Sequence, residues 1–305
     1  MGVGFSVPQF GRVVEAVVEA AASRPGRFGE VVSRFSERVE AAGADSLWVG
    51  DRLLAPVEPS VGYAGRDTIP RMFRTAVDPL VALTVAATAT GRVRLGTNVL
   101  NLPWYNPALL GRALASLDVV SGGRVVPGFG TGWSPEEYAA AGVPWPGRGT
   151  RMDSALDALE RWWSDDVVEH EGPAWSIAPS HVDLKPARTA RVHLGGQADA
   201  ALRRIGRRGT GWLPAVVVAD EPADPSALLR ARDTIAATAQ EAGNPTEVAA
   251  VVRVNPLPSA TVDALVGTIR SLGAAGFPDT FVDPHVLAAD VGEFEDWALR
   301  VLGEL

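Results

Sequence analysis

The chain has 305 residues, 47% of them hydrophobic, which is enough to bury a sizeable core. Its net charge of −8 argues against a nucleic-acid-binding or membrane-surface protein, because both classes need a basic surface. The absence of cysteine excludes disulfides and thiolate chemistry, and the four histidines lack metal-ligand spacing. No secretory signal or membrane-spanning apolar run is recognisable, so we expect a cytoplasmic protein.

Strand-like and helix-like segments alternate along the chain. The patterns predict strands at 2–7, 45–51, 92–99, 123–132, 191–196, 211–217, 247–255 and 279–284. They predict helices at 28–42, 78–90, 107–120, 148–163, 199–208, 224–242, 259–274 and 290–304. The second of these helices has a typical start, with Asp78 as the N-cap and Pro79 in the first helical position.

Strict alternation of strand and helix predicts parallel strands joined by right-handed crossovers. Either an open, doubly wound sheet or a closed (β/α)8 TIM barrel has this pattern. Eight repeats in 305 residues favour the barrel, as one α/β domain covering 1–305. Two insertions interrupt the rhythm, one after strand two (52–77) and one before strand five (165–190). The second contains "VVEHEGPAWSI", which is compatible with a small hairpin.

Polar or glycine-rich residues follow five of the predicted strands. In a (β/α)8 barrel the active site lies beyond the carboxyl ends of the strands. A single residue of this kind is explained equally well as an ordinary turn residue. Five such strand ends on one face favour a binding site, and its candidate residues are Ser6 and Gln9, Asp51, Thr97 and Asn98, 130–133, and 195–197.

Two glycine-rich segments bear on phosphate binding. In "VHLGGQADAALRRIG", Gly195 and Gly196 stand between a strand and a helix, where backbone N–H groups can meet a phosphate. A tight strand-to-helix turn is the alternative explanation. The segment "GFGTGW" fails the dinucleotide fingerprint, because Trp133 stands where the third glycine is needed and the preceding strand is the fourth.

Several motifs together resemble the luciferase-like monooxygenase superfamily, and within it the oxidoreductases that use the deazaflavin coenzyme F420. They occur in the order L-G-T-x-V, N-P, L-D-x-x-S-G-G-R, G-x-G-x-G-W, K-P, G-G and G-W. The matching segments cover most of residues 1–215. Beyond that point only the strand–helix pattern is compatible with the superfamily.

The resemblance implies a barrel that holds a flavin or deazaflavin over the carboxyl ends of its strands. Behind the tricyclic ring it implies a bulge formed by Thr97, Asn98 and Val99, with a cis peptide between Asn98 and Val99. It further implies that the cofactor phosphate lies on Gly195, Gly196 and Gln197, and the ribityl chain beside Gly130, Thr131 and Gly132. Dimerisation through the outer helices is also implied.

The chain departs from the deazaflavin pattern at two positions. Many members carry Asp-His after strand two, where this chain has Asp51 and Arg52, and some carry Glu where this chain has Trp133. Asp51 remains a candidate acid or base if burial raises its pKa, although it is equally explained as a cap of the following loop. Arg52 is a candidate for orienting an anionic substrate but cannot act as a base.

The sequence thus predicts an F420-dependent oxidoreductase that passes a hydride between the cofactor and a small organic substrate. The substrate side is expected to be lined by Trp104, Tyr105 and Trp133, although each is also explained as a core or interface aromatic. An FMN-dependent monooxygenase of the same family is the first alternative. A non-catalytic flavin- or deazaflavin-binding protein is the second. We expect a homodimer without a metal ion.

Overall fold

The computed structural model of the chain describes residues 1–20, 23–188 and 191–305. Within them the strands are β1 (Gly2–Ser6), β2 (Ser46–Val49), β3 (Arg94–Thr97), β4 (Leu100–Asn101), β5 (Val125–Val126), β6 (Gly128–Gly130), β7 (Val167–Glu171), β8 (Ser176–His181), β9 (His193–Gly195), β10 (Gly211–Leu213), β11 (Ala215–Val218), β12 (Val251–Pro256) and β13 (Asp279–Val282). The helices are α1 (Arg12–Glu19), α2 (Arg27–Ala41), α3 (Pro79–Ala89), α4 (Pro107–Ser121), α5 (Pro135–Ala140), α6 (Arg148–Ser164), α7 (Asp199–Arg208), α8 (Ser226–Glu241), α9 (Val262–Ala274) and α10 (Val291–Gly303).

Parallel strand pairs run around a closed circle. From β1 they pass through β2 and β3 to β5, and in the other direction through β13 and β12 to β11. A second set joins β6 to β9 and β9 to β10. Single prolines separate β5 from β6 (Pro127) and β10 from β11 (Pro214), so each pair forms one interrupted barrel strand. The eight resulting positions form the predicted (β/α)8 TIM barrel.

Both predicted insertions are present. The first contains two short 3-10 turns, Tyr63–Gly65 and Arg71–Arg74. The second contains the antiparallel hairpin of β7 and β8, as the sequence indicated, while its last two residues, 189–190, lie outside the described part of the chain. None of the helices in the described ranges is both long and apolar enough to cross a bilayer.

The predicted elements were wrong at two kinds of position. Unbroken strands were predicted at 123–132 and 211–217, whereas Pro127 and Pro214 interrupt them and the first ends at Gly130. Proline has no N–H to donate to a neighbouring strand, which explains the interruption. Two helices were not predicted at all, α1 and α5, which follow β1 and β6.

An aromatic floor closes the middle of the barrel. Trp48 on β2 stacks on Phe281 on β13, with ring centroids 4.8 Å apart and an interplanar angle of 15°. Gly96 on β3 makes room for the indole, because a Cβ there would lie 2.3 Å from the Trp48 ring. Any ligand at the carboxyl ends of the strands therefore rests on an apolar surface.

Candidate active site

A cavity of about 380 Å³ lies above this floor, at the carboxyl ends of the barrel strands. Its volume is within the range of small-molecule sites. The first insertion contributes Tyr63 and Phe73 to its wall. Of the residues predicted from sequence, the structure brings the following together around it: Ser6, Gln9, Asp51, Arg52, Asn98, Val99, Gly130, Thr131, Gly132, Trp133, Gly195 and Gly196.

Two residues that the resemblance assigned to the cofactor lie outside the cavity lining. The Thr97 hydroxyl donates to the Gly128 carbonyl and accepts from the Gly128 N–H, both at 2.8 Å, so it ties β3 to β6. Gln197 is exposed and donates to the Ala215 carbonyl at 3.1 Å. Both side chains therefore brace the strands around the site.

Trp104 and Tyr105 also lie outside the cavity lining. Trp104 packs edge-on against Tyr138, with ring centroids 5.9 Å apart. The Tyr105 hydroxyl lies 3.2 Å from Asp51 Oδ2 and donates to it. Burial, together with the charge of Asp51, raises the pKa of Tyr105, so the phenol remains a donor. Of the three aromatics expected on the substrate side, only Trp133 reaches the cavity.

The peptide bond between Asn98 and Val99 is cis, as the resemblance predicted. The Asn98 backbone N–H donates to the Val49 carbonyl at 2.8 Å, which fixes this segment to β2. Its side-chain Nδ2 is buried and has no hydrogen-bond partner among the residues described. Because a buried donor without an acceptor is costly, this amide is suited to a ligand in the cavity.

Val99 is wedged between two glycines of neighbouring barrel strands. A Cβ on Gly130 would lie 2.5 Å from Val99 Cγ2, and a Cβ on Gly195 would lie 2.7 Å from Val99 Cγ1. Both glycines are thus required to seat the Val99 side chain, a function that the sequence did not reveal. The isopropyl group forms an apolar wall of the cavity.

The turn after β9 leads into a helix end without a side-chain cap. Gly196 has φ +126°, a conformation that favours glycine, and a Cβ there would lie 2.7 Å from the Ala201 Cβ. Ala198, the N-cap of α7, provides no capping hydrogen bond. Asp199 in the first turn is paired with Arg203 at 2.9 Å. The N–H groups of this turn are therefore open to an anion.

Asp51 is held on the cavity wall by two donors to the same oxygen. Its Oδ2 accepts from the Asn101 N–H at 2.9 Å and from the Tyr105 hydroxyl at 3.2 Å. Burial raises the pKa of Asp51 to about 7, and the negative charge of Glu137 acts in the same direction. A carboxyl with this pKa exchanges protons readily near neutral pH.

Arg52 is locked into the wall by Glu137 and two aromatic rings. Its Nη1 lies 3.2 Å from Glu137 Oε2, and Nη2 donates to the Leu54 carbonyl at 2.8 Å. The guanidinium lies 4.4 Å from the Trp133 ring centroid and 4.9 Å from that of Phe73. Burial raises the pKa of Glu137. These contacts hold Arg52 in the wall, while its Nε and Nη1 are buried without a hydrogen-bond partner among the described residues.

A further polar cluster, Arg253, Asp283 and His285, lies on β12 and just after β13 and also lines the cavity. His285 Nε2 accepts from the backbone N–H groups of Gln9 and Phe10 at 3.2 and 3.3 Å. Its Nδ1 therefore carries the proton and donates to Asp283 Oδ1 at 2.5 Å.

Arg253 Nη2 donates to the other oxygen of Asp283. Burial alone would raise the pKa of Asp283, but its contacts with His285 and Arg253 hold it well below the usual range. This cluster was not predicted from the sequence. Its signal was present in "VVRVNP", where Arg253 and Asn255 interrupt an apolar strand at alternate positions.

Gln9, which was predicted at the strand ends, uses its side chain to hold the backbone of two loops together. It is completely buried, and its amide donates to the Gly50 and Val77 carbonyls at 2.9 and 2.6 Å. The amide oxygen accepts from the Gly50 N–H at 3.0 Å. Gln9 therefore fastens the loop after β1 to the end of β2.

Comparison with curated proteins finds relatives that match part of the chain. An uncharacterised protein of Mycobacterium tuberculosis is 32% identical over 181 residues, which are 58% of this chain and 62% of the relative. An F420-dependent glucose-6-phosphate dehydrogenase of Amycolatopsis mediterranei is 28% identical over 183 residues, 59% of this chain and 51% of that protein. The chain thus spans between half and two thirds of the length of these relatives.

Solved structures match the whole fold. The monooxygenase RslO1 from Streptomyces bottropensis has a TM-score of 0.76 at 19% identity and covers 100% of this chain and 98% of its own. The coenzyme F420-dependent tetrahydromethanopterin reductase of Methanopyrus kandleri has a TM-score of 0.70 at 15% identity, with the same coverage. The model of the luciferase-like monooxygenase family matches residues 9–286. The chain therefore belongs to the luciferase-like monooxygenase family.

Proposed function

We propose that this protein is an F420-dependent oxidoreductase that transfers a hydride between the deazaflavin and a small organic substrate. The observation that carries the proposal is Asp51, a carboxyl on the cavity wall with a pKa of about 7. Hydride transfer to a carbonyl carbon requires a proton at the carbonyl oxygen, and the reverse reaction releases one. A group that titrates near the working pH serves both directions.

The cavity residues suit a deazaflavin. Asn98 Nδ2 has no acceptor among the described residues, and the carbonyl groups of a deazaflavin ring would supply one. Val99 offers the ring an apolar face, and the first turn of α7, with Gly195, Gly196 and Gln197, offers backbone donors to the phosphate. Gly130, Thr131 and Gly132 lie between these two parts and would flank the ribityl chain. When bound, F420 supplies or accepts the hydride.

The proton that accompanies hydride transfer would be donated and accepted by a residue of the chain. Asp51 Oδ2 is occupied by Asn101 and Tyr105, whereas no hydrogen bond within the described residues uses Oδ1. Protonated Asp51 would donate from Oδ1 to the substrate oxygen during reduction, and the carboxylate would accept that proton during oxidation. Arg52 and Trp133, stacked on each other, would cover this side of the cavity and limit access of water.

An FMN-dependent monooxygenase is the second candidate, because the oxygenating component of 3,6-diketocamphane monooxygenase from Pseudomonas putida, solved in complex with FMN, shares the fold with a TM-score of 0.64 at 18% identity over 83% of this chain and 67% of its own. The name of the Amycolatopsis mediterranei relative supports F420. The pKa of Asp51 argues against a protein that only binds the cofactor, because a carboxyl buried at a cost to folding is more readily explained by proton transfer.

Equilibrium titration of the purified apoprotein with F420 and with FMN tests the cofactor. We expect F420 to bind at least tenfold more tightly, a difference of about 1.4 kcal/mol. Equal or reversed affinities would contradict the proposal. Asn98→Leu should weaken F420 binding, because leucine has a similar volume but lacks the Nδ2 donor. Reduced F420 offered with aldehydes and ketones then identifies the substrate by the gain in visible absorbance of the oxidised cofactor.

A further inference from the structure

Two polar side chains on one strand face the cavity without serving the chemistry described above. Arg253 and Asn255 are alternate residues of β12, and both line the cavity. Their neighbours Val252 and Val254 are completely buried. Because alternate side chains of a strand lie on the same face, Arg253 and Asn255 form one polar strip on the inner wall of the barrel.

The Arg253 guanidinium has donors to spare. Nη2 donates to Asp283, but Nε is buried and has no hydrogen-bond partner among the described residues. No hydrogen bond in the same part of the chain uses Nη1. A guanidinium offers five N–H donors in a planar fork, and such a fork matches two oxygens of a carboxylate or phosphate.

Of the two arginines in the cavity, Arg253 is the more accessible. Its side chain is 23% exposed, whereas that of Arg52 is 5% exposed and covered by Trp133 and Phe73. Asp283 contacts only Nη2 of Arg253 and also accepts from His285, so Nη1 and Nε of Arg253 keep their donors. Asp283 therefore positions Arg253.

The location is also suited to an anion. β12 and β13 are the seventh and eighth strands of the barrel, where many enzymes of this fold bind phosphate. The turn after β9, assigned above to the cofactor phosphate, belongs to the fifth strand. The net charge of −8 gives no long-range attraction for anions, so recognition must come from local donors.

We propose that Arg253 and Asn255 form a subsite for an anionic group of the substrate, a carboxylate or a phosphate. The class of substrate would then be small organic acids or phosphate esters that also carry a carbonyl or hydroxyl group. The inference rests on the proposed function in one respect, since it takes the cavity to hold a substrate beside F420.

Calorimetric titration of the F420-loaded protein with acetate and with inorganic phosphate tests the subsite and separates the two anions. Arg253→Gln should weaken the better-bound anion at least tenfold. Arg253→Lys keeps the positive charge beside Asp283 but loses the fork, so it should weaken binding about threefold or more. Asn255→Ala should have a smaller effect in the same direction.

Arg94→Gln is the matched control. Arg94 also lies on a barrel strand and pairs with an aspartate of β13, Asp279, but it does not line the cavity. This variant should bind both anions as the wild type does, within twofold. The proposal is overturned if the wild type binds neither anion, or if Arg253→Gln and Arg253→Lys, folded by circular dichroism, bind them as tightly as the wild type.

A second experiment distinguishes a subsite for the substrate's anionic group from a site for the cofactor phosphate. F420 is compared with the same deazaflavin and ribityl chain lacking the phosphate. Arg253→Gln should leave both affinities within twofold of wild type. A tenfold loss for F420 alone would assign Arg253 to the cofactor phosphate and overturn the inference. If the wild type fails to bind F420, the proposed function fails, and the anion titrations on the apoprotein still test the subsite.

Discussion

Replacing Asp51 by asparagine removes a carboxyl that the fold keeps largely protonated up to neutral pH. The pKa of Asp51 is about 7 in the folded protein because the group is buried. Asparagine has nearly the same shape, and its amide oxygen can accept from Asn101 and Tyr105 as Oδ2 does. The substitution therefore changes the titration while preserving the contacts.

The magnitude follows from the difference between the folded and unfolded pKa. The raised value of about 7, against 3.8 for the unperturbed group, is a difference of about 3 units. At 1.36 kcal/mol per unit this corresponds to about 4 kcal/mol. The folded state binds the proton more tightly than the unfolded state, so stability falls as pH rises from 4 to 7. The asparagine side chain does not titrate, so the variant should gain about 4 kcal/mol relative to wild type between pH 4 and pH 8.

Urea unfolding of both proteins at pH 4 and pH 8 measures this gain. The free energy of unfolding of the variant minus that of the wild type should be larger at pH 8 than at pH 4. Asp220→Asn serves as a control at an exposed aspartate and should show no such pH-dependent gain. A difference between Asp51→Asn and wild type that is the same at both pH values would refute the assignment of a raised pKa to Asp51.

The remaining predictions concern the same site and the oligomeric state. In carbonyl reduction the rate should fall as pH rises through the pKa of Asp51. Tyr105→Phe should move this fall about one pH unit higher in a pH–rate profile, because the variant lacks a hydrogen bond that stabilises the carboxylate. A fall at unchanged pH would contradict this. Gly130→Ala should lose about 1–3 kcal/mol of stability in urea unfolding through its overlap with Val99, and adding Val99→Ala should recover part of that loss in a double-mutant cycle; strict additivity would exclude the overlap. Gly196→Val should weaken F420 binding more than tenfold while circular dichroism shows an intact barrel, whereas unchanged affinity would mean that the phosphate binds elsewhere. Light scattering should find a homodimer, and a monomer at micromolar concentration would count against it.

The barrel was predictable because its signals are local. Each strand is a short apolar run, and helices such as α7, found at the predicted residues 199–208, follow from spacing and turn residues. Asp78 caps α3 through two backbone N–H groups, as its position before Pro79 indicated. The two missed helices differ in their signals. α1 begins after Gly11 without a side-chain cap, whereas α5 has a start signal in Ser134 and Pro135 but only six residues, too few for a helical spacing of apolar residues.

The site was predictable only where one strand end carries the information. Asp51 and Asn98 stand out as polar residues after apolar strands. Glu137, the ion-pair partner of Arg52, does not stand out, because it lies far along the chain on α5, a helix that was not predicted. The same limit hid the seating of Val99 between Gly130 and Gly195. Such contacts depend on the closure of the barrel, and no local pattern encodes them.

The aromatic floor also gives the protein a built-in optical probe. Of the nine tryptophans, two line the cavity, and they do so at different depths. Trp48 is 1% exposed in the floor, whereas Trp133 is half-buried on the wall. Indole emission shifts to longer wavelength in contact with water, so the two emit at distinguishable wavelengths. Because the other tryptophans also emit, the two cavity indoles are read by difference: quenching by a ligand that is lost in Trp48→Phe but persists in Trp133→Phe would place that ligand on the floor rather than at the mouth of the barrel.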